Sequence, residues 1–218
     1  MWTVSTSEQG EQEQPYHHGD LRRALVAAAR ALLEESGPEA LSLRDVARSV
    51  GVSHNAPYRH FPTRQALLAA VAAEGFAALS ARLAQLPAPS GLGALPELAA
   101  GFRGYLGFAR EQPGLYRLMF DGALEKSADP ALWAVGERAY DGLRQAVHRL
   151  APGADRAAVV AVWAQLHGLA LLVITGQLAE DLVRDGGLDA LADRTAAILE
   201  AGLRSAGAPE TAKPENRT

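Results

Sequence analysis

The residues best suited to chemistry lie between Leu41 and Phe76, and the chemistry they suit is the reading of duplex DNA. Within His54 to Phe61 the chain places His54, Asn55, Tyr58, Arg59 and His60, a run too polar for core and rich in base-reading side chains. Asn55 can form paired hydrogen bonds with adenine, and Arg59 or Arg44 can do the same with guanine. The major groove admits one α-helix, whose first residues meet the base edges. Tyr58, His60, Ser42 and Ser53 offer shorter donors suited to phosphate oxygens, which set register without reading sequence. Ala56 belongs to the same expected contact run. Thr63 and Arg64 could grip a phosphate together with free backbone N–H groups at a helix start.

Those side chains need helices to aim them. Leu43, Val46, Ala47 and Val50 recur at helical spacing, and the pattern stops at Gly51. Gly51 can take the positive φ of a sharp helix-to-helix turn, and Val52 can plug the small core beneath it. Ser53 is a natural N-cap, so a recognition helix is expected over His54 to Phe61. Pro57 then falls at the fourth helical position, where it removes one early hydrogen bond. Phe61-Pro62 breaks that helix, and Thr63 begins a long amphipathic one running to Leu86. Upstream, Asp20 is the expected cap of a first helix with an apolar face of Leu21, Leu25, Ala28, Leu32 and Leu33. Gly37-Pro38 ends it.

The 218 residues suffice for a small N-terminal domain and a larger one with its own core. The net charge of −4 is unusual for a DNA binder. Between Ser42 and Arg64, however, four arginines face only Asp45, a local +3 that leaves −7 for the remainder. Such a chain presents one basic face and repels DNA elsewhere. There is no cysteine, which excludes disulfides and thiolate sites and fits a reducing cytoplasm. Residues 1–19 are too polar for a signal peptide and read as a disordered tail, as do 207–218. His17 and His18 lack a coordination set and read as solvated tail or DNA arm, so no metal is expected.

Beyond Phe76 the helical pattern continues and strands are not predicted, giving an all-α chain. Its DNA-binding domain would occupy 20–76, with a helical regulatory and dimerisation domain over 77–206. Helices are expected near Leu95–Arg110, Pro113–Phe120, Pro130–Leu150, Arg156–Arg184 and Leu188–Ser205, with Pro113 and Pro130 placed well at starts. Ala157–Ala179 carries no formal charge and is long enough to cross a bilayer. Gln165, His167 and Gln177 interrupt its apolar surface, so burial on both sides within a soluble assembly is the better reading. Ala164, Gly168, Leu172 and Gly176 could pack against a partner. Leu188, Leu191, Ile198, Leu199 and Leu203 give the last helix a second stripe, with Leu191, Ile198 and Leu199 expected at the interface, and two such helices per chain would make a four-helix homodimer interface.

From about Tyr16 to Phe76 the chain resembles the DNA-binding domain of the TetR family of bacterial transcriptional repressors. The residues that carry the resemblance are GDLRRALVAAARALLEESG, LSLRDVARSVGVS, APYRHFPTRQALLAAV and the closing EGF. It implies a recognition helix over His54–His60, a positioning helix over Leu43–Val50 and a phosphate-binding helix start at Thr63 and Arg64. It also implies a homodimer on a palindromic double-stranded operator. Two departures stand out. Arg64 replaces the usual Lys, keeping the charge in a forked geometry, and Asn55 replaces a small residue, so operator sequence does not transfer.

The C-terminal half resembles a regulatory domain of this family named for a Trp-His-Gly signature, through Trp163, His167 and Gly168 in WAQLHGLALL and through QPGLYRLMF. Trp163 and His167, four residues apart, share one helix face. The resemblance implies a pocket for a small-molecule effector. Candidate lining residues are Phe102, Tyr105, Phe108, Tyr116, Met119, Phe120, Tyr140, Trp163 and His167, and core packing is the competing reading for each. Such a lining suits an apolar or aromatic effector. No nucleophile motif, phosphate loop or ligand set accompanies His167 and its acidic neighbours Glu180 and Asp181, so neither an enzyme nor a cofactor is expected. A helical protein-docking module remains the other alternative. The expected function is a one-component regulator, most simply a repressor released by its effector.

Overall fold

The computed structural model describes residues 18–84, 95–120, 122, 124, 130–184 and 186–206, with side chains from Leu21 to Arg204. Eight α-helices and two 3-10 turns account for the regular structure of these residues, and no strand occurs among them. The terminal tails expected before 18 and after 206 lie outside this set.

Helix α1 (His18–Ala40) starts two residues before the expected cap, so Asp20 sits inside it. Gly37 interrupts it at φ 76°, a left-handed conformation that suits glycine, and Pro38 follows in the turn. Helix α2 (Leu43–Val50) is capped by Ser42, whose side chain accepts from the Asp45 N–H at 3.1 Å. It ends on Gly51 at φ 75°, where the Gly51 and Val52 N–H groups bond the Arg48 and Ala47 carbonyls. Helix α3 (Arg64–Ala84) begins at the Thr63 cap, whose hydroxyl accepts from Ala66 N–H at 3.1 Å.

The C-terminal half comprises α4 (Leu95–Glu111), α5 (Pro113–Phe120), α6 (Pro130–Leu150), α7 (Arg156–Ile174) and α8 (Gly187–Ala206). Helix α7 is shorter than its apolar run suggested. Gly176 takes φ 66° just beyond it, and the chain then makes a 3-10 turn at Glu180–Leu182. Helix α4 is the central strut, lying against α7 and α8, with buried Phe102, Leu106 and Phe108. Helix α3 touches α1, α4, α5 and α6, so it joins the two halves. A single apolar cluster extends from Leu25 to Leu203, and the N-terminal and C-terminal helices share it.

Candidate nucleic-acid interface and regulatory hollow

The expected recognition helix is the main local difference. Residues 51–56 form turns, and only Pro57–Arg59 is helical, as a 3-10 turn capped by Ala56 with no side-chain bond. The reason is Pro57. Lacking an N–H, it cannot close an α-helical bond to Ser53, and it serves as the first residue of the short helix instead. The Ser53 carbonyl accepts from Ala56 N–H at 2.9 Å, so Ser53 starts a turn rather than capping a helix. Pro57 and Phe61 are buried and anchor the segment, and the Arg22 guanidinium lies 5.2 Å from the Phe61 ring centroid.

That anchoring turns the remaining side chains outward. Ser53, His54, Asn55, Tyr58 and Arg59 are exposed, Ala56 and His60 are half-buried, and Arg44 is exposed on the neighbouring α2. Among the described residues Arg44 and Arg59 have no carboxylate partner. Arg48 does have one. It pairs with Asp45 at 2.8 Å, and the Ser42 hydroxyl and Arg48 together hold the Asp45 carboxyl below its ordinary range.

Two expected phosphate groups are placed differently from their neighbours. The Ser42 hydroxyl donates to the Asp45 carboxylate and accepts from its backbone N–H, so it works as a helix cap. Arg64 turns inward. Its Nε donates to the Leu41 carbonyl at 2.7 Å and its guanidinium also bonds the Pro38 carbonyl, which satisfies acceptors at the end of α1. Thr63 stays exposed at the start of α3.

In the regulatory half the aromatic candidates separate into core and surface. Phe102, Phe108 and Met119 are fully buried among the apolar core residues. Tyr105 and Tyr116 are buried as well, but they carry hydroxyls that meet His167. Tyr116 OH lies 2.9 Å from His167 Nδ1, and Tyr105 OH lies 3.3 Å from both that nitrogen and Tyr116 OH. Burial pushes the Tyr105 hydroxyl strongly toward its neutral form, with Tyr116 reinforcing it.

His167 is ringed by aromatic edges: Phe120 at 4.5 Å and Trp163 at 5.2 Å between centroids, with Tyr140 at 5.5 Å from Trp163. Beside them is an open hollow of about 440 Å³ lined by Phe120, Val160, Trp163, Ala164 and His167. Val160 was not anticipated. Nothing in a run of apolar residues marks one valine as lining. Ala164 was expected at an interface with a partner and borders the hollow as well.

Of the other residues expected at that interface, Gly168, Gly176 and Ile198 are exposed, and Leu172, Leu191 and Leu199 are half-buried. Helix α7 buries Val159, Val162, Leu166, Leu169 and Ala170 on its inner side. By length and apolar content alone α3 and α7 could each cross a membrane. No group of metal-ligating side chains occurs among the described residues.

A contact between the halves was also invisible beforehand. Both carboxylate oxygens of Glu34 on α1 accept from the first N–H groups of α5, Gly114 at 2.8 Å and Leu115 at 2.9 Å. Arg30, one turn earlier, bonds the Gln112 side chain. Gly114 permits this approach, since a Cβ there would lie 2.6 Å from the Leu33 carbonyl oxygen. The other end of α5 carries Tyr116 and Phe120 to His167, so one short helix touches both α1 and the hollow.

Two family models match the chain: "Bacterial regulatory proteins, tetR family" over 25–71 and "Tetracyclin repressor-like, C-terminal domain" over 98–199. The chain belongs to the TetR family. The C-terminal TetR match carries a different description from the Trp-His-Gly domain that the sequence suggested. A curated relative, an HTH-type transcriptional repressor of Mycobacterium tuberculosis, is 39% identical over 57 residues, 26% of this chain. The alignment spans only 30% of that relative's length. A protein of unknown function from Rhodococcus sp. RHA1 is 33% identical in its solved structure, with TM-score 0.72 over 87% of this chain and 98% of its own. A TetR variant from Acinetobacter baumannii AYE, solved in complex with minocycline, shares the fold at TM-score 0.54. It is 23% identical and covers 88% of this chain and 99% of its own.

Proposed function

We propose that this TetR-family regulator is a one-component repressor that binds a palindromic operator as a homodimer and is released by a small apolar or aromatic effector. The observation that carries the reading is the 51–61 segment, where buried Pro57 and Phe61 hold Asn55, Tyr58 and Arg59 outward beside Arg44, which has no carboxylate partner among the described residues. Asn55 and Arg59 read bases, and Ser53, His54, Tyr58, His60 and Thr63 meet the backbone. Arg64 and Ser42 act indirectly by fixing the ends of α1 and α2. One basic turn per chain contacts a single half-site, so two chains related by a two-fold axis would span half-sites about 34–36 Å apart or a multiple of it.

The exposed apolar side of α7, with Ile198 of α8, supplies the surface for the second chain. Burying that side also explains its apolar character better than a membrane span does, and a cytoplasmic location follows. Release requires the effector to favour a dimer geometry that does not fit DNA. A roughly 100-fold loss of operator affinity needs about 2.7 kcal/mol of coupling between the two sites. Helix α5 is the route: a ligand against Phe120 and His167 moves it, and Glu34 passes that motion to α1. A ligand-dependent activator or a co-repressed regulator would use the same parts with the opposite sign.

The reading is tested by operator geometry. In a duplex carrying the protein's own site, five extra base pairs between half-sites should abolish cooperative binding, and ten should partly restore it. Equal binding to all three duplexes would exclude a two-fold dimer on a palindrome.

A further inference from the structure

The DNA-facing segment has fewer available cations than its sequence suggests. Of the four arginines between Ser42 and Arg64, Arg48 is tied to Asp45, and Arg64 bonds the Pro38 and Leu41 carbonyls. Arg44 and Arg59 remain, and both suit base edges. The start of α3 thus lacks the phosphate cation expected of Arg64. Cations set against phosphates supply nearly all non-specific affinity for duplex DNA and a large share of specific affinity.

A guanidinium reaches this place from a different helix. Arg22, in the second turn of α1, has its Cζ 5.2 Å from the centroid of the Phe61 ring. Phe61 is buried, closes the 51–61 segment and comes two residues before exposed Thr63. Arg22 is itself exposed, and among the described residues it has no carboxylate partner. Attraction between its charge and the ring face uses none of its five N–H donors. The ring therefore steadies a long side chain and leaves the donor fork open. Such a fork matches two oxygens of one phosphate, and a side chain already steadied loses less freedom in meeting them.

We infer that Arg22 is a DNA-contacting residue: stacked on Phe61, it grips a backbone phosphate beside the start of α3, so the interface extends onto α1. This rests on the operator-binding reading above. The contact adds affinity and fixes register, and it reads no sequence. Covering Phe61 alone would need an apolar chain of similar length and no charge, and the two roles are separable on that basis.

Binding of the full chain to the duplex flanking its own gene, and to a scrambled duplex, is measured by fluorescence anisotropy from about 50 to 300 mM salt. Arg22→Met keeps an apolar chain over the ring and removes the charge, and Arg22→Gln is a second neutral variant. Each is expected to bind both duplexes at least about fivefold more weakly at physiological salt, by the same factor. The slope of log association constant against log salt should fall by roughly 0.9 per bound chain. Arg138→Met, which removes an exposed arginine on α6, should keep the wild-type slope. Circular dichroism melts verify the fold of each variant.

A wild-type slope in the folded Arg22 variants overturns the inference, whatever the change in affinity. So does a loss confined to the native duplex, which would make Arg22 a prop for base reading through Phe61. An equal fall in slope for Arg138→Met overturns it as well, because overall charge would then be the cause. Equal affinity of wild type for the two duplexes counts against the operator reading alone, since the slope on either duplex still reports phosphate contacts. No binding to either duplex overturns both.

Discussion

The DNA-facing segment and the regulatory hollow are both built from aromatic and polar side chains, yet they are organised in opposite ways. In 51–61 the structural work is done by two buried residues, Pro57 and Phe61, and Ser53, His54, Asn55, Tyr58 and Arg59 are left in solvent. Around His167 the polar atoms are turned inward onto one another, Tyr105 to Tyr116 to imidazole, and what faces outward is apolar. The first arrangement suits a hydrated, charged partner that brings its own hydrogen-bond acceptors. The second suits a partner that leaves water. One chain therefore carries two candidate surfaces of opposite polarity, joined by α1, α3 and α5.

The sharpest way to break this contrast is to exchange the expected effects of substitution. Phe108→Ala removes a fully buried ring on α4, so it should cost about 3–5 kcal/mol of stability by urea denaturation. A near-neutral result would mean that the Phe108 ring is not part of the packed core. Gly114→Ala forces a Cβ against the Leu33 carbonyl where α1 meets α5. It should cost about 1–3 kcal/mol and lower operator affinity without touching any DNA-facing residue. Arg59→Ala should do the reverse. Its stability should stay within about 0.5 kcal/mol of wild type, whereas binding loses about 1–3 kcal/mol.

Glu34→Ala removes the carboxylate that accepts the first two N–H groups of α5, and a loss of about 1 kcal/mol in thermal or urea unfolding is expected. The smallest effect is one of pH. The bidentate Arg82 partner holds the Glu111 carboxyl on α4 below its ordinary range. The depressed folded-state value means that this contribution is present above the unfolded-state value near 4.5 and is lost as pH falls through the folded one. Glu111→Gln should flatten that acid limb slightly. An identical limb in the variant would assign the acid loss elsewhere.

How much of this was legible depended on range. Leu43 to Gly51 could be read because cap, apolar period and left-handed glycine are all local, and α2 has the expected ends. Helices α5 and α6 were likewise bounded by Pro113 and Pro130. The recognition segment was read for its residues but not its conformation, because one missing N–H at Pro57 outweighed the apparent Ser53 cap. The inward turn of Arg64 was not readable, since its acceptors, Pro38 and Leu41, lie more than twenty residues upstream. Glu34 and its partners on α5 are eighty residues apart, and no pattern on α1 distinguishes that carboxylate from its neighbours. Tertiary packing also decided which aromatics are core: Phe102, Phe108 and Phe120 look alike in sequence, and only Phe120 borders the hollow.

The most direct test of the central claim is fluorescence anisotropy with the duplex flanking the protein's own gene. It is measured at physiological salt against a scrambled duplex, with Arg59→Ala alongside. Saturable binding at nanomolar protein, with two chains per site, absent from the scrambled duplex and weakened by about 1–3 kcal/mol in the folded variant, is the result expected of a dimeric repressor reading bases through Arg59. Binding to the native duplex that survives Arg59→Ala unchanged would contradict it, because the 51–60 segment would then not be the surface that meets DNA.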